Sequence, residues 1–333
     1  MKVAIIGAGS WGTALAVHLA RAGCAVRLWA FEREIVDGIG ASRHNPLFLP
    51  EVVIPDQVAV THELDAACAG AEAVLFVVPV QFARGVLHRL RGAGLDERAS
   101  FVSASKGIEL GSLKRMDELA CEELALAPER FVALSGPSFA REVAAGLPSA
   151  AVLAGWSNEL VAKLQWRFST PHFRFYAGAD VVGVELAGAL KNVIAIAAGV
   201  ATGLGLGHNA LAALLTRGLH EIARLGVCLG GREETFRGLA GMGDLVLTCT
   251  GALSRNRSLG ERLGRGETLA EALAGREVAE GVPTTSAAAE LARRHHLEMP
   301  ITLAVEAILA GRLTPRQAVT ALMTRELKHE ALL

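Results

Sequence analysis

The chain has 333 residues, enough for about two domains and for a core that needs no disulfide or metal to hold it. With 51% hydrophobic and 20% charged residues it is not a disordered sequence, and 33 basic residues against 34 acidic ones leave no global field for nucleic acid or an anionic membrane. Five Cys, an odd number without a CxxC, argue against a disulfide framework or a zinc knuckle and for a reducing compartment.

Met1 and Lys2 run straight into an apolar strand, Lys2–Ile6, which argues against a cleaved leader. Gly7 closes that strand, and Ser10–Arg21 carries helical spacing that Gly23 stops. Further strands are expected at Ala25–Trp29 and at residues 58–60, 73–78, 101–104 and 131–134, with helices between most of them. Residues 150–154 and 173–176 read as edge strands around a helix, Asn158–Phe168. Alternating strand and helix predicts a parallel, doubly wound sheet. After Asp180 strand signals stop, and helices are expected at residues 181–199, 210–228, 268–273, 284–295, 301–309 and 315–322. The fold class is therefore α/β. A Rossmann-like dinucleotide-binding domain spans residues 1–179, and an all-helical substrate and catalytic domain spans 180–333. The apolar run 192–207 falls short of the roughly 20 residues of a membrane span, and predicts a buried core helix.

Gly7-Ala8-Gly9-Ser10-Trp11-Gly12 is a GxGxxG between the first strand and the first helix. In that context Gly7 makes the tight turn, Gly9 lets a pyrophosphate reach the backbone and Gly12 lets helix and strand pack closely. At the end of the second strand, Phe31-Glu32-Arg33 offers both an acid for a ribose diol and a base for a 2′-phosphate, so NAD and NADP both stay open.

Lys191 stands inside an apolar helix. It is either a snorkelling rim residue or a buried general acid toward a carbonyl oxygen. Residues 241–256 look loop-rich and polar. Asp244 can balance a catalytic Lys, Arg255 can fork onto a phosphate, and Ser254 and Asn256 can add hydrogen bonds or serve as helix caps. Lys106 follows a strand and points toward the cofactor crevice, and Gly136 and Ser138, in a loop after another strand, can let a substrate approach the backbone. The His residues show no metal-binding spacing, so no metal is expected.

Taken in order, GAGSWGTALA (7–16), NPLFLP (45–50), SASKGIE (103–109), LSGPSFA (134–140), LKNVIAIAAG (190–199), GMGDLVLTC (241–249), SRN (254–256) and EGVPT (280–284) resemble the bacterial NAD(P)-dependent glycerol-3-phosphate dehydrogenases. The resemblance implies a fold like 6-phosphogluconate dehydrogenase and reversible reduction of dihydroxyacetone phosphate to sn-glycerol 3-phosphate for phospholipid synthesis. It implies Lys191 as proton donor and acceptor, with Lys106 and Asp244 beside it in catalysis. Substrate contacts carried over are Lys106, Gly136, Ser138, Lys191, Asp244, Ser254, Arg255 and Asn256. Contacts to NAD(P)H are Ser10, Trp11, Lys106, Ala140, Arg255, Val278 and Glu280. It also suggests a cytoplasmic homodimer with no nucleic-acid partner and no membrane span. Two departures stand out. Phe31 and Glu32 occupy places where the family usually has basic residues, with Arg33 one step late, and Phe48 replaces a Tyr. The rival readings are a hydroxyacid or 6-phosphogluconate-type dehydrogenase, which would bind a carboxylate, and a non-catalytic dinucleotide redox sensor.

Overall fold

The computed structural model describes residues 1–274, 279–327 and 329–330. They divide into two compact units. One comprises Met1–Ser105 and Met116–Val181; the other comprises Lys106–Arg115 and the chain from Val182 on. Lys106–Arg115, which chain order assigns to the first domain, thus groups with the helical unit.

The first unit holds eight strands: β1 (Lys2–Ile6), β2 (Ala25–Trp29), β3 (Ala59–Thr61), β4 (Ala73–Phe76), β5 (Ser100–Ser103), β6 (Phe131–Ser135), β7 (Ser149–Gly155) and β8 (Phe173–Gly178). They form one sheet in the order β3-β2-β1-β4-β5-β6-β7-β8. The sheet is parallel through β6, as the alternation predicts. β7 then runs antiparallel to β6, and β8 parallel to β7. The reversal needs the chain to double back after β6. Gly136 permits it with φ +140°, and a Cβ there would stand 2.8 Å from the Ala151 Cα of β7. The unit's helices are α1 (Ser10–Arg21), α2 (Arg33–Ser42), α3 (Leu64–Cys68), α4 (Val80–Gly92), α5 (Met116–Leu124), α6 (Ala140–Ala145) and α7 (Asn158–Phe168). Strands β4, β5 and β6 are buried along their whole length, as strands of a sheet covered on both faces should be. Phe76, Phe101 and Phe131 line up across them with ring centroids 5.6 and 6.0 Å apart.

The described residues of the second unit form helices α8 (Val181–Gly203), α9 (Gly207–Cys228), α10 (Glu233–Arg237), α11 (Asp244–Thr250), α12 (Arg255–Gly264), α13 (Leu269–Ala272), α14 (Gly281–Arg294), α15 (Pro300–Leu309) and α16 (Pro315–Met323). α8 is long and apolar enough to cross a membrane, yet most of its apolar window is buried by its neighbours, the core-helix arrangement the sequence suggests. The stretch 241–256 is mostly helical rather than loop-rich, interrupted at residues 251–254. A π-helical turn, Leu239–Gly243, leads directly into α11. Its glycines serve close packing, since a methyl on Gly241 would overlap the Phe236 carbonyl.

Glycines also set the distance between α8 and α12. A Cβ on Gly199 or Gly203 would strike the backbone of Arg257 or Glu261, and one on Gly260 or Gly264 would strike Ile196 or Val200. The two backbones touch with nothing between them. Gly260→Ala is therefore expected to destabilise the protein by about 1–3 kcal/mol through overpacking, read as a lower denaturant midpoint. An unchanged midpoint would mean that the helices slide apart at little cost.

Candidate active site

α8 carries Lys191 into the helical core, where its side chain is 8% exposed. Its Nζ donates to Asp244 Oδ1 at 2.5 Å and to Thr248 Oγ1 at 2.8 Å. Asp244 opens α11 and Thr248 follows one turn later, so helical spacing places both on the face that meets α8. The second carboxylate oxygen, Asp244 Oδ2, accepts from Lys106 Nζ at 2.7 Å. One buried carboxylate thus holds two ammonium groups.

The electrostatics follow from that arrangement. Burial pushes Lys191 down; Asp244 pulls it up and Lys106 pushes it down again, and the balance lies at about 8. Burial pushes Asp244 up, but the two ammonium groups outweigh it and hold the carboxyl below its ordinary value. Lys191 is therefore buried and paired rather than snorkelling, and its proton leaves near neutral pH, where a general acid and base works best. Thr248 is the member of the cluster that sequence reasoning passed over. Its only signal there is the four-residue offset from Asp244.

The start of α12 packs on the helix that carries Lys191, where a Cβ on Gly199 would overlap the Arg257 carbonyl oxygen. The Ser254 hydroxyl caps the helix by accepting from the Arg257 N–H at 3.2 Å, so the capping reading of this residue holds. Arg255 is the first helical residue and is exposed. Asn256 is buried and accepts the Gly281 N–H on Oδ1 at 3.0 Å. A Cβ on Gly281 would stand 2.7 Å from Asn256 Oδ1 and 2.9 Å from the carbonyl oxygen of Asn192, the residue after Lys191. Glu280 stands just before α14, and Val278 lies outside the described residues.

The sheet unit brings the glycine motif into one turn between β1 and α1. Gly7 has φ +114°, and a Cβ on it would stand 2.8 Å from the Val77 carbonyl oxygen. A methyl on Gly12 would overlap the Gly7 carbonyl, whereas nothing lies within 4 Å of a Cβ at Gly9. No side chain caps α1 at Gly9. Ser10 Oγ donates to the Phe48 carbonyl at 2.8 Å, and Trp11 is half-buried. After β2, Phe31 is 70% exposed with its ring edge-on to Trp29; Glu32 precedes α2 and Arg33 is its first residue. After β6, Ser138 Oγ donates to the Gly136 carbonyl at 2.9 Å, and Ala140 begins α6.

Residues 2–161 match the family described as NAD-dependent glycerol-3-phosphate dehydrogenase N-terminus, and residues 180–320 match the C-terminus of the same family. The glycerol-3-phosphate dehydrogenase [NAD(P)+] of Geobacter sulfurreducens is 52% identical over 331 residues, covering 99% of this chain and 98% of that one. The Koribacter versatilis protein of the same name is 53% identical over 329 residues, 97% of each chain. The crystal structure of glycerol-3-phosphate dehydrogenase from Coxiella burnetii superposes with TM-score 0.93 at 43% identity, over 97% of this chain and 99% of that one. The chain belongs to the NAD-dependent glycerol-3-phosphate dehydrogenase family. A ketopantoate reductase from Ralstonia eutropha, at 18% identity and TM-score 0.58, shares the fold alone.

The glycine turn of this family member fits a dinucleotide. Gly7 and Gly12 are each hemmed in by backbone, whereas Gly9 faces open space at an uncapped helix start. Gly7, Gly9, Ser10, Trp11 and Gly12 would hold the pyrophosphate there, with the N–H groups of the first turn and the positive end of the helix dipole as its partners.

Proposed function

We propose that this protein catalyses the reversible NAD(P)H-dependent reduction of dihydroxyacetone phosphate to sn-glycerol 3-phosphate, with Lys191 as general acid and base. The observation that carries the proposal is the buried Lys191–Asp244–Lys106 cluster. A dinucleotide sensor has no use for a buried proton donor tuned to about 8. Bound NAD(P)H supplies the hydride that reduces the C2 carbonyl. As negative charge grows on the carbonyl oxygen, Lys191 Nζ gives it a proton; in the reverse direction neutral Lys191 takes the hydroxyl proton. Asp244 and Thr248 fix where Nζ points, and Lys106 keeps Lys191 from holding its proton too tightly.

The start of α12 is assigned to the substrate phosphate. Arg255 offers a planar fork, Ser254 and Asn256 offer neutral hydrogen bonds, and the helix dipole favours the negative charge. Fixing the phosphate orients C2 and removes much of the entropic part of the barrier. Gly136 and Ser138 are assigned to the substrate, and Ala140, Val278 and Glu280 to the cofactor. The same reading makes the protein a cytoplasmic homodimer supplying glycerophospholipid synthesis.

The test follows reduced-nicotinamide absorbance with dihydroxyacetone phosphate, running NADH and NADPH in parallel. Oxidation of either supports the reaction. A folded protein that binds the cofactor but oxidises neither would remove the phosphate-ketone reading. Glu32 and Arg33 are both exposed beside the start of α2, and the acid stands about 20 residues past the glycines, the place of a ribose-diol ligand. Glu32→Ala is expected to lower the NADH-to-NADPH ratio of kcat/KM about tenfold, the effect of losing one charge-assisted hydrogen bond. An unmoved ratio would assign the ribose site elsewhere.

A further inference from the structure

Asn45 is fully buried, and none of the chemistry above uses it. It lies in the loop after α2, yet its carboxamide is spent on the glycine turn. Nδ2 donates to the Ala8 carbonyl at 2.7 Å and to Thr13 Oγ1, in the first turn of α1, at 2.8 Å. Oδ1 accepts the N–H groups of Leu47 at 3.2 Å and Phe48 at 3.1 Å. The loop closes the circuit, because the Phe48 carbonyl accepts from Ser10 Oγ. We propose that Asn45 is a positioning residue that holds the dinucleotide turn in its binding shape.

Ala8 sits between Gly7 and Gly9 of the turn. Its carbonyl needs a partner, and no backbone N–H of α1 donates to it. Asn45 and, more weakly, Thr13 Oγ1 at 3.3 Å take that role, which directs the carbonyl away from an incoming phosphate and leaves the turn's N–H groups for it. The chemistry demands a carboxamide. Two donors must face the turn while an acceptor faces the loop, and only Asn or Gln offers both, Gln with a longer reach. An aspartate would set a carboxylate against two oxygens and place negative charge beside the phosphate site. The loop is itself anchored. The Arg43 guanidinium bonds the carbonyls of Ile54, Pro55 and Val58, and Pro46 packs where a Cβ on Gly38 would stand 2.7 Å away. The tether therefore pulls from a fixed point.

The inference rests on the dinucleotide reading, and titration calorimetry with NADH separates the two. Wild-type protein that fails to bind NADH overturns that reading itself. If wild type binds, Asn45→Ser is expected to raise Kd for NADH about tenfold and Asn45→Asp about 100-fold, with Thr13→Val moving it a few-fold in the same direction. Steady-state rates should show KM for the nicotinamide raised, with kcat at saturating cofactor and KM for dihydroxyacetone phosphate within about twofold of wild type. Should Asn45→Asp fail to fold, Asn45→Ser and Thr13→Val carry the test. A lower melting temperature with unchanged Kd in those variants would make Asn45 a merely structural residue and overturn the proposal.

Discussion

Lys191→Met is expected to lower kcat for ketone reduction by about 10²–10⁴-fold while leaving the Kd for NADH within a factor of three of wild type. Met fills the volume of the Lys stem but brings no proton. Asp244 keeps Lys106 as its partner, so the variant does not strand a buried carboxylate. The glycine turn that is assigned to the cofactor belongs to the sheet unit, and Lys191 to the other. Near-normal turnover would remove Lys191 from acid catalysis. Lost NADH affinity would show that the substitution disturbs more than the proton donor. The pH dependence gives an independent reading. Lys191 titrates at about 8, and the ammonium is the form that reduces. For reduction, kcat/KM should be level below that pH and fall tenfold per unit above it. For oxidation, the neutral amine is required, so the rate should rise toward pH 8 and level beyond it. A reduction rate still flat at pH 10 would show that another group gives the proton.

The parts of this protein that could be read from sequence are those whose cause is local. The GxGxxG turn depends on three nearby glycines, and β1, β4 and β6 are continuous apolar runs in a sheet covered on both faces. Lys191 stood out because a charge in an apolar helix needs a reason. What could not be read depends on distant partners. Residues 241–256 look loop-rich, but Gly241 is there because another backbone lies against it, as are Gly260 and Gly264 further along the chain. The start of α15 has no capping side chain of its own; the buried carboxylate of Glu221, 80 residues back on α9, accepts the Ile301 and Thr302 N–H groups instead. Lys106 could be expected near a crevice because it follows a strand. Its pairing with Asp244, and the grouping of Lys106–Arg115 with the helical unit, follow from contacts that chain order does not encode. Asn45 lay in a motif used only for resemblance, and its role appears only when Ala8 and Thr13 are seen beside it.

Asp244→Asn should both destabilise the protein and shift its pH profile, because Asp244 is the counter-charge that makes two neighbouring lysines tolerable. Removing one partner of a buried ion pair costs about 3–5 kcal/mol. Part of that cost is avoidable here. Lys106 is 17% exposed and can turn toward water, and Lys191, already displaced from its usual range, can give up its proton. The penalty should therefore depend on pH, with a definite sign. Without the carboxylate the folded-state pKa of Lys191 drops below about 8, while the unfolded chain keeps its ordinary lysine value. At pH 6 the variant must bury an uncompensated ammonium or pay to deprotonate it, and the loss should approach the full figure. As pH rises to about 8 the wild type loses the same proton, Lys191 is then neutral in both proteins, and the penalty at pH 9 should be smaller by about 1 kcal/mol or more, since each pKa unit is worth 1.36 kcal/mol. Denaturant melts of both proteins at pH 6 and pH 9 measure the difference. In the assay, the fall in reduction rate should begin at lower pH than in wild type, since the donor loses its proton sooner. Equal penalties at the two pH values, with an unmoved rate profile, would mean that Asp244 holds α11 in place without governing the proton on Lys191.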